Sequence, residues 1–329
     1  MNRHFPTPGA AYGTSHASVA PVPALNRPSR LRPGDKVAVV ATSSPVEREM
    51  LEAGLDVLRG WELEVVVGDH VLDVHPDLDY LAGRDEDRAA DLQAAWCDPD
   101  VAAVVCARGG YGAHRLTGLL DWSAMRAAGP KVLVGYSDIT VLHEAFASRL
   151  HLATVHGPMP ATEGFARDVV AQEHLRRTLF EPESVTTLTG PRAATLVPGR
   201  AQGVTLGGCA SLLADNLGSP TSRHSAAGGI LLLEDVGERA YRLDRCLSQL
   251  LNAGWLDGVA GIVLGSWQDS EPYDRIRTVL LDRLGPLGVP MVEELGFGHC
   301  PDPLTLALGR PAVLDADAAT LRYTAAVLD

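Results

Sequence analysis

Short, uninterrupted apolar runs separated by longer amphipathic stretches restrict this chain more than any other feature. Residues 36–41 (KVAVVA), 63–67, 101–107 (VAAVVCA) and 132–135 carry no polar alternation, so each reads as a strand covered on both faces. Such strands belong to mostly parallel sheets with helical crossovers. The intervening residues agree. Within 46–59, Met50, Leu51, Leu55 and Leu58 recur at spacings that give one apolar helix face. Further helices are expected over 84–96, 113–127 and 140–150. Strand and helix alternate to about residue 165, which predicts a doubly wound α/β domain.

The stretch 166–200 is charged and weakly periodic, contains Pro182, Pro191 and Pro198, and reads as a connection with edge structure. A second unit is expected over 201–329, with strands at 229–233, 259–264 and 289–293, helices at 241–253 and 274–284, and short antiparallel strands after residue 305. Residues 1–30 hold five prolines among Ala, Ser and Gly without a hydrophobic period; they read as a flexible tail, and the globular part is expected from Leu31.

Composition excludes several functions. The 329 residues carry a net charge of −13, so binding to nucleic acid or to an anionic membrane through a positive surface is not expected. Five cysteines without a CxxC pair indicate neither a disulfide framework nor a thiolate zinc site. No HExxH, EF-hand loop or clustered His/Cys spacing is present, so no metal and no cofactor are expected. Neither an apolar leader nor a run long enough to span a bilayer is visible, and the expectation is a cytoplasmic protein. At the first strand's end, Thr42-Ser43-Ser44-Pro45 stands where a dinucleotide fold carries GxGxxG.

The sharpest local feature is the strand at 132–135 running into Tyr136-Ser137-Asp138-Ile139-Thr140 with a helix at once. That context lifts a serine above the end of a sheet, beside N–H groups at a helix start that would stabilise an oxyanion. The plainer reading is that Ser137 or Asp138 caps the helix. One crossover earlier, Arg108-Gly109-Gly110-Tyr111-Gly112 puts three glycines in four residues, a loop that needs unusual backbone or a close approach. A nucleophilic serine requires a base and an acceptor that orients it. His299, on the Gly- and Pro-rich loop Gly296-Phe297-Gly298-His299-Cys300-Pro301, is the best-placed histidine; His156 is a candidate site wall and His143 a packing residue. Glu234, Asp235 and Glu238 follow the apolar run 229–233, and the residues do not choose between Glu234 and Asp235. Cys106 lies inside its strand rather than at the turn, which disfavours a cysteine nucleophile.

Together these segments resemble the LD-carboxypeptidase family of serine peptidases, which includes muramoyltetrapeptide carboxypeptidases and the microcin C self-immunity peptidases. The matching segments are Leu31-Arg32-Pro33-Gly34-Asp35-Lys36 through Pro45, Ala107–Gly112, Gly135–Thr140, Leu233-Glu234-Asp235 and Gly296–His299, in the family's order. The resemblance implies a flavodoxin-like parallel-sheet N-terminal domain over 31–165 and a smaller, β-rich mixed α/β C-terminal domain, with the site in the cleft between them. It implies Ser137 as nucleophile, His299 as base and Glu234 as orienting acceptor, with the Gly110 and Asp138 N–H groups as oxyanion hole. Arg108 is a candidate for the substrate carboxylate, with a structural ion pair as its alternative; Tyr111 and Trp267 are candidate aromatic platforms. Cys209 stands where the family often has Asn after Gly-Gly, and is taken as a substrate-contacting position.

The expected activity is hydrolysis of the amide between an L-centre and a C-terminal D-amino acid, such as D-alanine in murein tetrapeptide, by a homodimer whose partner is a small peptide or muropeptide. With Ser137 on one unit and Glu234 and His299 on the other, activity would depend on closure of the cleft. The alternatives are a microcin-immunity-like amidase acting on peptidyl or aminoacyl nucleotides, and a non-catalytic small-molecule binder on the same scaffold.

Overall fold

The computed structural model describes residues 20–329, built on two sheets. The first takes β1 (Lys36–Val40), β2 (Glu64–Val67), β3 (Val101–Cys106), β4 (Val132–Gly135) and β5 (Thr154–His156) in the order β5-β4-β3-β1-β2, all parallel. This is the flavodoxin-like order. β3 and β4 are buried almost throughout, as their unbroken apolar sequence demands. The helix Arg48–Gly60 buries Leu51, Leu55 and Leu58, the face its spacing predicted. The single helix expected over 113–127 is instead two short ones, Ala113–Leu116 and Trp122–Ala127. Asp121 starts the second by accepting from the N–H groups of Ser123 and Ala124.

The second sheet has eight strands. In chain order they are β6 (Thr187–Leu188), β7 (Ala194–Val197), β8 (Arg200–Cys209), β9 (Gly229–Glu234), β10 (Gly261–Leu264), β11 (Met291–Glu293) and, after β12 (Leu306–Leu308), β13 (Pro311–Asp315) and β14 (Thr320–Tyr323). β8, β9, β10 and β11 run parallel in its centre, and antiparallel strands close both sides. Leu231 and Leu233 of β9 pack with Leu243, Leu247 and Leu250 of the helix Ala240–Asn252 and with Ile276 and Leu280 of the helix Tyr273–Leu284.

Three further features depart from the sequence reading. The stretch 166–200 holds a regular helix, Val169–Phe180, capped by Asp168, and its β6 and β7 belong to the second sheet. Its apolar positions Ala171, Leu175 and Leu179 keep a four-residue spacing that the surrounding charges obscured. β12 does not stay with the second sheet; it crosses back and pairs antiparallel with β5, Leu306 opposite His156. The two units also share one apolar cluster, containing Val134 and Val155 from one side and Leu232, Val263 and Val292 from the other.

The third departure concerns the tail. Residues 1–19 lie outside the described part, but 20–30, also read as flexible, are docked on the body. Val22 N–H donates to Ala227, Leu25 N–H to Gly309 and Asn26 N–H to His151, and buried Leu25 packs on Ala147 and Ala153. Replacing Leu25 with Ala should therefore cost about 2–4 kcal/mol. In urea unfolding, a chain starting at Leu31 should have a lower midpoint than one starting at Ala20; equal midpoints would show that 20–30 contribute nothing.

Candidate active site

The carboxyl ends of the parallel strands carry the loops that can hold a reactive group. β4 ends at Gly135, and after Tyr136 the chain turns sharply through Ser137, whose φ of 63° is left-handed. That conformation costs a residue with a Cβ about 1–2 kcal/mol. Ser137 is half-buried, and its Oγ has no hydrogen-bond partner among the described residues. Gly109 lies against it: a Cβ there would stand 3.0 Å from Ser137 Cβ and 3.2 Å from Oγ. The N–H groups of Gly110 and Asp138 likewise have no acceptor among the described residues.

The capping alternative does not hold, since neither Ser137 nor Asp138 caps the helix Thr140–Leu150. The Asp138 carboxylate is fully buried and serves other loops: its Oδ2 accepts from Ser43 Oγ–H at 2.6 Å and from Ala113 N–H at 2.8 Å. Burial pushes its pKa upward, against the pull of those two hydrogen bonds.

Glu234 ends β9 wholly out of water. Its Oε2 accepts from His299 Nδ1–H at 2.7 Å and from the His299 backbone N–H at 3.3 Å. The preceding residue, Gly298, has φ 88°, and a Cβ there would lie 2.6 Å from Glu234 Cγ, so the carboxylate and the loop fit only with glycine between them. With Nδ1 held, Nε2 is the free nitrogen of the ring. The His299 ring packs at a 52° tilt against that of Tyr136, next in sequence to Ser137, with centroids 4.7 Å apart. Burial alone would lower the His299 pKa, but the charge of Glu234, its hydrogen bond, and the charges of Asp235 and Asp269 outweigh it and raise the value above 6.5.

Of the two adjacent carboxylates, only Glu234 meets His299. Asp235 turns away from His299: Oδ2 accepts from Ser211 N–H in the first turn of the helix Ala210–Asp215, and Oδ1 accepts from Val236 N–H and the Cys209 thiol. His143 is the packing residue expected, its Nε2–H donating to Gly135 at 2.9 Å. His156 sits behind Glu234, with Nε2 4.0 Å from Oε1. Burial, aided for His143 by nearby His156 and for His156 by nearby His299, depresses both rings to about 3.

The candidates for substrate contact divide. Arg108 donates Nη1 to the Pro45 carbonyl at 2.8 Å and meets no carboxylate among the described residues, so the ion-pair alternative is absent. Tyr111 is 46% exposed, its ring tilted against Tyr80 at 5.9 Å. Trp267 is only 8% exposed and packs in the apolar core of the second unit; it lines a neighbouring pocket with Gln268 and Tyr273 rather than the cleft over Tyr136 and His299. Cys209 must also be corrected: it is 1% exposed, its thiol is 3.0 Å from Asp235, and burial together with Asp235 raises its pKa well above 9. It supports the carboxylate beside Glu234 rather than a ligand. Cys106 is sealed within β3, its thiol pushed up to about 12 by burial.

A cleft of about 720 Å³ opens over Tyr136 and His299, walled by Val169, Val170, Val236 and Gln268. Val169 and Val170 were missed in the sequence because their helix was read as a connection. Tyr136 was missed because an aromatic beside a serine carries no signal of its own. Elsewhere, His70, Asp73 and Asp87 bring three ligand-type atoms within 4.8 Å of one another; the His70 ring already meets Asp91. No helix among the described residues is long and apolar enough to cross a membrane.

With this geometry in view, the comparisons define the class. Residues 37–157 match the LD-carboxypeptidase N-terminal domain and residues 202–314 its C-terminal domain. The chain belongs to the LD-carboxypeptidase family and is a serine peptidase of that type. Among its relatives, a Streptomyces coelicolor protein bearing a carboxypeptidase name is 65% identical over 297 residues, 90% of this chain and 96% of that one. The murein tetrapeptide carboxypeptidase of Pseudomonas aeruginosa is 34% identical over 86% of this chain and 94% of its own length. The crystal structure of muramoyltetrapeptide carboxypeptidase from Oxalobacter formigenes superposes with a TM-score of 0.73 at 28% identity, covering 88% of this chain and 97% of the other. The microcin C7 self-immunity protein shares the fold, TM-score 0.80 at 21% identity over 92% of this chain and all of the other.

Two buried neutral histidines make stability depend on pH. Between pH 6.5 and 3 the unfolded chain binds protons on His143 and His156 that the folded chain refuses, so each ring contributes a loss of up to about 1.4 kcal/mol per pH unit as pH falls. His143→Gln keeps a donor for Gly135 without the titration. Its urea midpoint should fall less than that of the wild type between pH 7 and pH 5; parallel curves would refute the assignment.

Proposed function

We propose that this carboxypeptidase acts through Ser137, His299 and Glu234 on murein tetrapeptide, releasing the terminal D-alanine. The observation that carries the reading is the imidazole of His299, held at Nδ1 by a buried carboxylate and packed at a tilt against Tyr136, the residue next to a partnerless serine hydroxyl. Ser137 Oγ attacks the carbonyl and His299 Nε2 takes its proton. The charge that develops on the carbonyl oxygen is met by the N–H groups of Gly110 and Asp138. His299 returns the proton to the departing amine, and water then hydrolyses the Ser137 ester by the same route. Arg108 uses one guanidinium nitrogen on Pro45, which leaves the others for the terminal carboxylate of the peptide. The substrate assignment is supported by the relatives that bear murein peptide names.

D-Alanine release from murein tetrapeptide by the purified protein tests this. Ser137→Ala should lower turnover by about 10⁴- to 10⁶-fold with the fold intact. An aminoacyl sulfamoyl adenosine serves as the comparison; turnover of that compound in preference to tetrapeptide would overturn the murein assignment.

His299 must be neutral to accept the proton, so activity should fall as pH drops through its raised pKa, with an acid limb above 6.5. In Glu234→Gln the orienting charge is gone. Turnover should fall by about 10²- to 10⁴-fold and the acid limb should move to lower pH. An unmoved limb would mean that Glu234 does not act on the base.

A further inference from the structure

In the turn Thr42-Ser43-Ser44-Pro45, after β1, only the Pro45 carbonyl enters the mechanism above, through Arg108, yet the two serine side chains are spent on the glycine loop and the turn that carry the oxyanion donors. We propose that Ser43 and Ser44, with the Asp138 carboxylate and Arg88, are positioning residues that fix the Gly110 N–H relative to the nucleophile turn. The inference rests on the reading of Ser137 as nucleophile and of the Gly110 and Asp138 N–H groups as its oxyanion hole.

The loop needs such support. Gly110 and Gly112 take φ of 110° and 139°, and Gly110 is exposed. A segment of this kind has many accessible conformations, whereas an oxyanion donor must be placed to within a fraction of an ångström. Ser44 brackets Gly110 from both sides: its N–H donates to the Gly109 carbonyl at 3.2 Å, and its Oγ accepts from Tyr111 N–H at 3.1 Å. The Ser44 side chain also fills the space that a Cβ on Gly110 would need.

Ser43 reaches the other way. It is fully buried, and its hydroxyl donates to the same Asp138 oxygen that accepts from Ala113 N–H. One carboxylate oxygen thereby joins the end of β1, the glycine loop and the nucleophile turn. Arg88 closes the back of the assembly. It is wholly buried and donates Nη1 to the Thr42 carbonyl at 2.6 Å; a Cβ on Gly112 would stand 2.5 Å from that nitrogen. Asp85 accepts from Arg88 and from Arg115 on the helix that follows the glycine loop. Both donors of the hole, at Gly110 and Asp138, are thus referred to adjacent serines of one turn, and that turn sets their separation.

The test uses the full-length chain with Ser44→Ala, Ser43→Ala, Asp138→Ala and Asp138→Asn. Three quantities are measured on each: kcat and KM for tetrapeptide, the affinity for a peptide boronate that forms a tetrahedral anion on Ser137, and the affinity for an uncleavable tetrapeptide analogue. Ser44→Ala and Ser43→Ala should lower kcat by about 10- to 100-fold and weaken the boronate in proportion, with KM and analogue binding within about twofold. Asp138→Asn keeps an oxygen for Ser43 and Ala113 and should retain more activity than Asp138→Ala. Wild-type kcat and boronate affinity in Ser44→Ala would overturn the proposal. Equal weakening of boronate and analogue would also overturn it, because it would show general disruption of the site. Ser44 is only half-buried, so its variant keeps the test available should Ser43→Ala fail to fold. Failure of the underlying reading is seen separately, as activity retained in Ser137→Ala.

Discussion

A carboxylate removed from water at the end of a parallel strand is the constraint around which this molecule is arranged. Glu234 has no exposed surface, and an isolated carboxylate in that position would cost several kcal/mol. His299 meets this cost with two donors on one oxygen, its ring and its backbone N–H. The same contact gives the imidazole a single orientation, with the other nitrogen left for chemistry. Around it the sequence is bent to fit. Gly298 leaves room for the carboxylate, Cys209 and the N–H of Ser211 draw Asp235 away, and the ring of Tyr136 closes over the imidazole.

The site is divided between two sheets, so their relative placement is part of its chemistry. Three links hold it: a strand pairing, a shared apolar cluster and a hydrogen bond. β12 follows the His299 loop directly and pairs with β5, which anchors that loop to the sheet carrying Ser137. The apolar cluster shared by both units makes sliding between them costly, since interiors are close-packed. The Thr140 hydroxyl, on the helix after Ser137, accepts from the backbone N–H of Cys209 at the end of β8. Glu234 pairs with Cys209 across β8 and β9, so this bond refers the strand end carrying Glu234 to the turn carrying Ser137 on the other sheet.

Legibility in the sequence followed the range of the interaction. The parallel sheet was readable because a strand buried on both faces must be apolar at every position, as in 101–106 and 132–135. The sharp turn at Ser137 and the His299 loop were readable because glycine and an abrupt strand-to-helix change mark special backbone. The helix Val169–Phe180 was not, because its narrow buried stripe of Ala171, Leu175 and Leu179 lies among charged residues that hide the period. Residues 20–30 were misread for a related reason: they are held mainly by backbone hydrogen bonds, which leave no mark in side-chain pattern. Cys209 and Trp267 were misplaced because a residue type does not reveal whether its surroundings are cleft or core.

Class of fold, family and the short list of groups from which a site could be made are all written in local sequence. These are encoded within a few residues of one another, in periodicity, glycines and strand ends. Which groups meet one another was fixed by long-range packing. Glu234 and Asp235 are neighbours at a strand terminus, where successive side chains point to opposite faces. Which of the two meets the histidine depends on which face of the second sheet the His299 loop covers, and that is fixed by packing between elements 65 residues apart. The serines after β1 gained their place in the same way, through contacts across three loops that no local spacing records.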